Sequence, residues 1–350
     1  MSTPLGTGTS PSDADNPQPA SIASIAAEAG VSIPTVSKVL NGRPDVAADT
    51  RARVESVIEQ RRYRRRRARE SSRPALIDLV FHEMHSAWAT EIIRGVEQAA
   101  AAERAAVVLS ELGGEHRPRR EWFDDLLTRR PLGVILVLAG LDEEQRNQLT
   151  TRTIPFVVLD TAGEPQPGVP TVGSANWSGG LAATRHLISL GHSRIAVISG
   201  PTTMMCSRAR VDGYRSALDE AALPVDPDLV RHGDFYVHGG YDHGLALLSR
   251  PDRPTAIFAG SDFQALGVMR AARELGLSIP GDLSIVGYDD LEVTEWIGPP
   301  LTTVRQPLRD MATTAAEMVF TLARGERPRN ERIDLATELI VRESTAPPPS

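Results

Sequence analysis

Short apolar runs alternate with longer amphipathic stretches from residue 75 to near the end of the chain. Helices fit between most of these runs, so the pattern predicts βαβ units, which form parallel sheets covered on both faces. The predicted strands are Leu76–Phe81, Ala106–Leu109, Val134–Leu138, Phe156–Leu159, Ile195–Ile198, Ala256–Phe258 and Leu283–Val286. Their number favours two doubly wound α/β lobes rather than one. Ligands of such folds bind beyond the carboxyl ends of the strands, so we expect a site in the cleft between the lobes.

The first 74 residues follow a different pattern. Residues 1–20 contain little that could be buried, and we predict that they are disordered. The Arg-rich stretch 64–74 has no apolar face and is predicted to be a linker. Three short helices are predicted between them, from cap and stop residues and apolar spacing: Ser21–Gly30, Ile33–Asn41 after the N-cap Ser32, and Ala48–Gln60. The first two helices and their turn form a helix-turn-helix pattern, although pairs of short amphipathic helices are also common without that function.

The formal charge of -7 is unevenly distributed. Residues 21–74 carry 12 Lys and Arg against 6 Asp and Glu, whereas residues 75–350 carry 26 basic and 37 acidic residues. A small basic head on a large acidic body favours a nucleic-acid contact confined to the head. Charge alone leaves a solvated run of basic residues as the alternative.

Several classes of protein are disfavoured by what the sequence lacks. No apolar run approaches the length of a membrane span, and no secretory signal precedes residue 20, so we expect a cytoplasmic protein without a membrane partner. The single cysteine, Cys206, excludes an internal disulfide and a Cys-built zinc site. No phosphate-binding, nucleophile-elbow or zinc-protease motif is present, so we expect no enzyme and no cofactor. His82, Glu83 and His85 lack a metal-ligand pattern, and no metal is expected.

The second helix of a helix-turn-helix unit places its N-terminal residues against base edges in the major groove. Hydroxyl groups there can bond phosphates, and a lysine can donate to guanine. Arginines in the linker can enter a narrow minor groove, with a merely solvated linker as the alternative. The candidate DNA contacts are Ser32, Ile33, Pro34, Thr35, Ser37, Lys38 and Asn41 in the head and Arg64, Arg65, Arg66 and Arg67 in the linker.

Three of the four tryptophans, Trp88, Trp177 and Trp296, lie just past predicted strands or at helix starts. We expect these three to rim the cleft, where flat aromatic faces match the C–H faces of sugar rings. Ordinary core packing is the alternative for each of them.

Several motifs resemble, in order and spacing, those of the LacI/GalR family of transcriptional regulators. The resemblance covers residues 21–345 and rests on Ile25–Ser32, Thr35–Gly42, Thr50–Val54 and Tyr63 in the head, and on Arg208–Tyr214, Ser261–Gly267, Val286–Asp290, Pro299–Gln306 and Arg342–Thr345 in the body.

The resemblance implies a periplasmic-binding-protein-like body of two lobes and a homodimer on a near-palindromic operator in double-stranded DNA. The implied boundaries are 21–63 for the head, 64–74 for the hinge, 75–173 plus 302–328 for the N-terminal lobe, 174–301 plus 329–344 for the C-terminal lobe, and 345–350 for a disordered tail. The hinge departs from the family, because Ser72 stands where a leucine usually wedges into the minor groove.

The resemblance also implies effector contacts. Arg210 matches the arginine that grips the effector, Asp289 the carboxylate that accepts its hydroxyls, and Phe235 the aromatic that stacks on it. The full candidate set for the effector is His82, Trp88, Asp160, Trp177, Arg210, Phe235, Ser261, Asp289 and Trp296. An inter-lobe ion pair between Arg210 and Asp289 is the structural alternative.

The resulting hypothesis is a repressor of carbohydrate-use genes that a sugar or oligosaccharide releases from its operator. A nucleobase or nucleoside acting as corepressor is a second reading. A sugar-binding transport protein or a small-molecule enzyme is a third, but it leaves the basic head unexplained. The tail after Glu343 contains no heptads, so no tetramerising helix is expected.

Overall fold

The computed structural model describes residues 21–40, 42–43, 46–61, 75–84, 86–161, 163 and 166–349. The chain divides into two compact units, Met1–Arg73 and Pro74–Ser350, which are described separately below. The expectations for residues 1–20, for Asn41 and for Arg64, Arg65, Arg66 and Arg67 lie outside the described residues.

The head contains the three expected helices: α1 (Ile22–Ala29), α2 (Ile33–Leu40) and α3 (Ala48–Gln60). Ser21 and Ser24 form a capping box at the start of α1, and Gly30 ends it at φ 63°, a left-handed conformation that favours glycine. The apolar faces of the three helices meet in one core that includes Ile25, Val36 and Val54. The short turn therefore presents α2 with its remaining face to solvent.

The body contains twelve strands within the described residues, and every predicted strand is among them. They are β1 (Ala75–Phe81), β2 (Ala105–Glu111), β3 (Gly133–Val137), β4 (Phe156–Leu159), β5 (Thr171–Ser174), β6 (Ile195–Ser199), β7 (Val230–His232), β8 (Ala256–Ala259), β9 (Ser284–Asp289), β10 (Thr302–Arg305), β11 (Arg332–Leu335) and β12 (Glu338–Ile340).

The helices of the body lie between these strands. They are α4 (Ala87–Ala102), α5 (Arg120–Arg129), α6 (Glu143–Thr151), α7 (Asn176–Ser189), α8 (Met205–Glu220), α9 (Val237–Leu248), α10 (Asp262–Glu274), α11 (Val293–Trp296) and α12 (Leu308–Ala323). Within the described residues, none of the helices is both long and apolar enough to cross a membrane.

Two six-stranded sheets confirm the predicted pair of α/β lobes. The first sheet has the order β11-β5-β4-β3-β1-β2 and is parallel throughout. The second has the order β12-β10-β9-β8-β6-β7, and only its edge strand β12 runs antiparallel. In each sheet the strand order reverses beside the first strand of the lobe, which is where doubly wound sheets bind ligands.

The chain passes from one lobe to the other at several points, called crossings below. The last two crossings lie at other residues than expected. β10 pairs with β9 in the second sheet, so the crossing lies at 306–307 rather than before Thr302. β11 pairs with β5 in the first sheet, so the chain returns to the second lobe at 336–337 rather than after residue 328. Helix α12 packs into the core of the first lobe, as expected.

The expected disordered tail is held in place at its start. The backbone N–H of Ala346 donates to Ser284 Oγ at 3.0 Å, and the Ala346 carbonyl lies 2.9 Å from His192 Nε2. Thr345 Oγ1 lies 3.0 Å from His186 Nε2. These bonds fix the end of the chain on the second lobe, so the disordered-tail expectation is wrong for these two residues.

Candidate functional site

A cavity of about 240 Å³ lies between the two lobes, at the carboxyl ends of their strands. His82 follows β1 and Asp160 follows β4 in the first lobe, while Phe235 and Ser261 follow β7 and β8 in the second. Of the candidate effector residues, those that line the cavity are His82, Trp88, Asp160, Arg210, Phe235, Ser261 and Asp289. The cavity therefore lies where the sequence predicted it, beyond the carboxyl ends of the strands and between the two lobes.

Arg210 is the central cation of this cavity. It lies on α8 and is 3% exposed, with its Nε donating to Asn176 Oδ1 at 2.8 Å and its Nη1 donating to the Gly260 carbonyl. The guanidinium carbon lies 3.7 Å from the centroid of the Tyr288 ring and 5.4 Å from that of Phe235. These contacts fix a buried charge in one orientation before any ligand binds.

Two buried aspartates flank Arg210. Asp160 belongs to the first lobe, and burial, with the nearby Asp334 carboxylate, raises its pKa to about 6 although Arg210 opposes the shift. Asp289 ends β9 in the second lobe, and burial also raises its pKa against the effect of Arg210. No ion pair joins Arg210 to either carboxylate within the described residues, and Arg210 shares a lobe with Asp289. The inter-lobe ion pair considered from the sequence is therefore not formed.

A hydrogen-bond network connects the charged cavity residues to the segments that cross between lobes. Asn176, which accepts from Arg210, donates its Nδ2 to the Ser174 carbonyl at 3.1 Å. Ser174 Oγ donates to Gln306 Oε1 at 2.6 Å, and Gln306 Nε2 donates to Asp289 Oδ1 at 2.6 Å. Ser174 and Gln306 stand at two different crossings. The network thus joins Arg210 and Asp289 through the hinge of the two lobes.

The charge of the cavity wall is mainly negative. Within the described residues, its charged side chains are the guanidinium of Arg210 and the carboxylates of Glu83, Asp160, Asp234 and Asp289. Tyr236 of the second lobe donates its hydroxyl to Glu83 of the first, so the two lobes touch at the cavity wall. Sequence reasoning did not assign Glu83, Asp234 or Tyr236 to the site, although each follows a strand, β1 or β7, within a few residues.

Two family models match the chain. Residues 21–66 match the family of bacterial regulatory proteins named lacI, and residues 184–345 match a periplasmic binding protein-like domain. The HTH-type transcriptional repressor CytR of Escherichia coli strain K12 is 32% identical over 336 residues, which are 93% of this chain and 96% of that protein. The repressor PurR of Vibrio atlanticus strain LGP32 is 30% identical over 327 residues, or 92% and 98% of the two chains. The chain belongs to the LacI family.

Solved structures of LacI-family proteins have the same architecture. A complex of the transcriptional regulator CelR with cellobiose matches with 33% identity and a TM-score of 0.71, over 93% of this chain and 99% of that one. The lac repressor dimer bound to operator and the anti-inducer ONPF matches with 28% identity and a TM-score of 0.68, over 94% and 100%. These relatives are DNA-binding regulators rather than enzymes, and this LacI-family chain is a DNA-binding transcriptional regulator.

Two of the tryptophans expected in the LacI-family effector site lie elsewhere. Trp177 stands at the second position of α7, is 45% exposed, and lines a separate cavity. Trp296 is 80% exposed at the end of α11, because that short helix carries the chain from Asp289 back to the surface. The expectation that both rim the effector cavity is wrong, while Trp88 does line it.

The second helix of this LacI-family head, α2, has one buried and one exposed face. Val36 and Val39 face the head core, whereas Ile33 is 52% exposed and Pro34 and Lys38 are also exposed. Ser32 Oγ lies 2.8 Å from Thr35 Oγ1 and accepts the Thr35 backbone N–H at 3.3 Å, so Ser32 caps the helix as expected. The other predicted hydroxyl, on Ser37, is partly buried. The exposed face therefore combines apolar side chains in the first turn, Ile33 and Pro34, with the cationic Lys38 in the last turn.

No group of three or more His, Cys, Asp or Glu side chains among the described residues could hold a metal ion. Cys206 lines the cavity as a buried free thiol, and burial raises its pKa to about 12. A thiol with so high a pKa is a weak nucleophile at neutral pH.

Proposed function

We propose that this LacI-family protein is a cytoplasmic, homodimeric repressor of carbohydrate-use genes, released from its operator by a neutral sugar bound between its lobes. The single observation that carries the choice of ligand is the cavity wall, where one fixed guanidinium faces four carboxylates. Carboxylates accept hydrogen bonds from sugar hydroxyls, and the guanidinium donates to ring or hydroxyl oxygens. Because burial raises the pKa of Asp160 and of Asp289, these two carboxyl groups are partly protonated, and the repulsion of sugar phosphates and other anions rests mainly on Glu83 and Asp234.

The aromatic side chains of the cavity support the same ligand class. Trp88, Phe235 and Phe263 line the cavity with flat apolar faces. Aromatic faces pack well against the C–H faces of a sugar ring, while the polar groups fix its orientation. The similarity to a regulator solved with cellobiose agrees with this choice.

On the DNA side, we assign base readout to α2. Lys38 would donate to guanine, while the exposed Ile33 and Pro34 would offer apolar contact to a thymine methyl. Ser32, Thr35, Ser37 and Asn41 would contact phosphates, and Arg64, Arg65, Arg66 and Arg67 would enter the minor groove. A dimer would place two such heads on the half-sites of a near-palindrome.

Ligand binding would act on DNA through lobe orientation. A sugar that bonds to Arg210 and Asp289 engages both ends of the network that crosses the hinge at Ser174 and Gln306. Coupling between two sites in one protein typically amounts to about 1–3 kcal/mol, or roughly 5–150-fold in affinity.

A thermal-shift screen tests the ligand class. Cellobiose, glucose, ribose, glucose 6-phosphate, adenine and cytidine would each be added to the purified protein. A neutral sugar at about 100 times its dissociation constant should add roughly 2.7 kcal/mol to the free energy of unfolding. Stabilisation by adenine or cytidine alone would instead favour the nucleobase reading, and stabilisation by glucose 6-phosphate alone would contradict the charge argument.

A further inference from the structure

A second cavity, of about 200 Å³, lies at the lobe crossings and is not used by the proposed effector site. One wall comes from β5 and β11 of the first lobe, and the other from the first turns of α7 and α8 in the second. Asp160 and Cys206 line both cavities, whereas Gly173, Trp177 and Asp334 line the second one alone.

Two carboxylates converge on one face of Gly173 in this cavity. A methyl group placed on Gly173 would lie 3.0 Å from Asp334 Oδ1 and 3.6 Å from Asp160 Oδ1, and no other non-neighbouring heavy atom of the described residues comes within 4 Å of that point. The two oxygens therefore flank a stretch of backbone that carries no side chain. A ligand donor that approaches this face from the cavity would lie between the two carboxylates.

The Asp160 carboxylate has no hydrogen-bond partner among the described residues, although it is only 6% exposed. Asp334 is held by Arg332, whose Nε lies 3.4 Å from Asp334 Oδ2, while the other oxygen, Oδ1, lies beside Gly173. A buried carboxylate without a partner is costly, and a second carboxylate beside it adds repulsion. A cation between the two would relieve both effects.

Trp177 supplies an apolar wall beside these carboxylates. Its side chain is 45% exposed although it lines the cavity, so part of the indole is available to a ligand. Indole faces attract ammonium groups and pack against methylene chains. An unpartnered carboxylate, a second carboxylate and an indole form a set that suits an alkylammonium ion rather than an anion.

We propose that the second cavity binds a small organic cation whose ammonium group lies between Asp160 and Asp334 and whose carbon chain packs against Trp177. The ammonium nitrogen donates to one oxygen of each carboxylate. Because the walls belong to different lobes, occupancy favours the lobe arrangement that brings these walls together. This site shares Asp160 with the proposed sugar site, whereas Gly173, Trp177 and Asp334 line the second cavity alone, so variants of these three residues test it separately.

The test uses the full-length protein and isothermal titration calorimetry with 1,4-diaminobutane as the probe and 1,4-butanediol as its uncharged counterpart. The diamine should bind with 1:1 stoichiometry per chain, and the diol should bind at least tenfold more weakly. Asp334→Asn and Gly173→Ala should each weaken the diamine at least tenfold, by removing one charge and by filling the space between the carboxylates.

Trp296→Ala is the matched control, because Trp296 is exposed and lines neither cavity, so its loss should leave diamine binding within twofold of wild type. Thermal melts of each variant identify any loss of fold, and Trp177→Ala provides a third second-cavity variant if Gly173→Ala unfolds. Equal affinity for diol and diamine would overturn the cation assignment. Diamine binding that survives both Asp334→Asn and Trp177→Ala would overturn the site, whatever the sugar screen finds.

Discussion

Replacing Arg210 by alanine tests the centre of the effector cavity. In the unliganded protein, the change removes hydrogen bonds to Asn176 Oδ1 and the Gly260 carbonyl and the contact with the Tyr288 ring. Hydrogen bonds from charged groups contribute about 1.5–3 kcal/mol each, and the loss is partly offset because a buried charge disappears. We therefore expect the free energy of unfolding to fall by about 2–4 kcal/mol.

The same substitution, Arg210→Ala, should also lower the affinity for the sugar, independently of its effect on the free energy of unfolding. Losing at least one charge-assisted hydrogen bond to the sugar should raise its dissociation constant roughly ten- to hundredfold. Arg208→Ala is the matched control, because Arg208 lies on the same helix, carries the same charge and is exposed. Arg208→Ala should melt and bind sugar like wild type. Thermal melts and calorimetry give both quantities, and an Arg210→Ala protein that behaves like Arg208→Ala in both assays would refute the assignment.

Three further predictions follow from the head, the hinge and the buried carboxylates. Lys38→Ala should cost about 1–3 kcal/mol in operator binding and relax base preference at one position; an equal loss on operator and random DNA would make Lys38 a phosphate contact instead. Ser174→Ala removes the 2.6 Å hydrogen bond to Gln306. It should reduce the ligand-induced change in operator affinity severalfold, while sugar affinity stays near wild type. If the ratio of operator affinities with and without sugar is unchanged, this hydrogen bond does not couple the two sites. Asp160 has a pKa raised to about 6 from 3.8, so its contribution to stability is present below about pH 4 and is lost as pH rises through 6. Between pH 4 and pH 7, the free energy of unfolding of Asp160→Asn should therefore rise relative to that of wild type, by roughly 3 kcal/mol at most. Parallel pH profiles of the two proteins would contradict the raised pKa of Asp160.

The fold could be predicted largely from hydrophobic patterning because its central strands are continuous apolar runs. β1, β3 and β9 are buried almost completely, and the predicted ends of each lie within three residues of the observed ones. β5, β7, β10, β11 and β12 were not predicted, because each is only three or four residues long and contains polar side chains. The expected lobe boundaries therefore placed β10 and β11 in the wrong lobes.

The candidate site could be predicted where a residue directly follows a central strand. Asp160, Asp289 and Ser261 lie at such positions, but the family resemblance supplied them, together with Arg210. The prediction for Trp296 was wrong because this residue lies seven positions beyond the strand end, at the end of the short helix α11, which carries the chain away from the cavity. Sequence spacing also contained no signal for the network through Ser174 and Gln306, since 132 residues separate the two side chains.

The most direct test of the account is the effect of a neutral sugar on operator affinity. An operator duplex would be selected by the protein from a random pool, and its dissociation constant measured by fluorescence anisotropy with and without the sugar that stabilises the protein most in the thermal screen. The account predicts that saturating sugar raises that constant by about 5–150-fold, and that the Arg210→Ala protein requires at least tenfold more sugar for the same effect. An operator affinity that no stabilising sugar changes, or that a nucleobase strengthens, would contradict it.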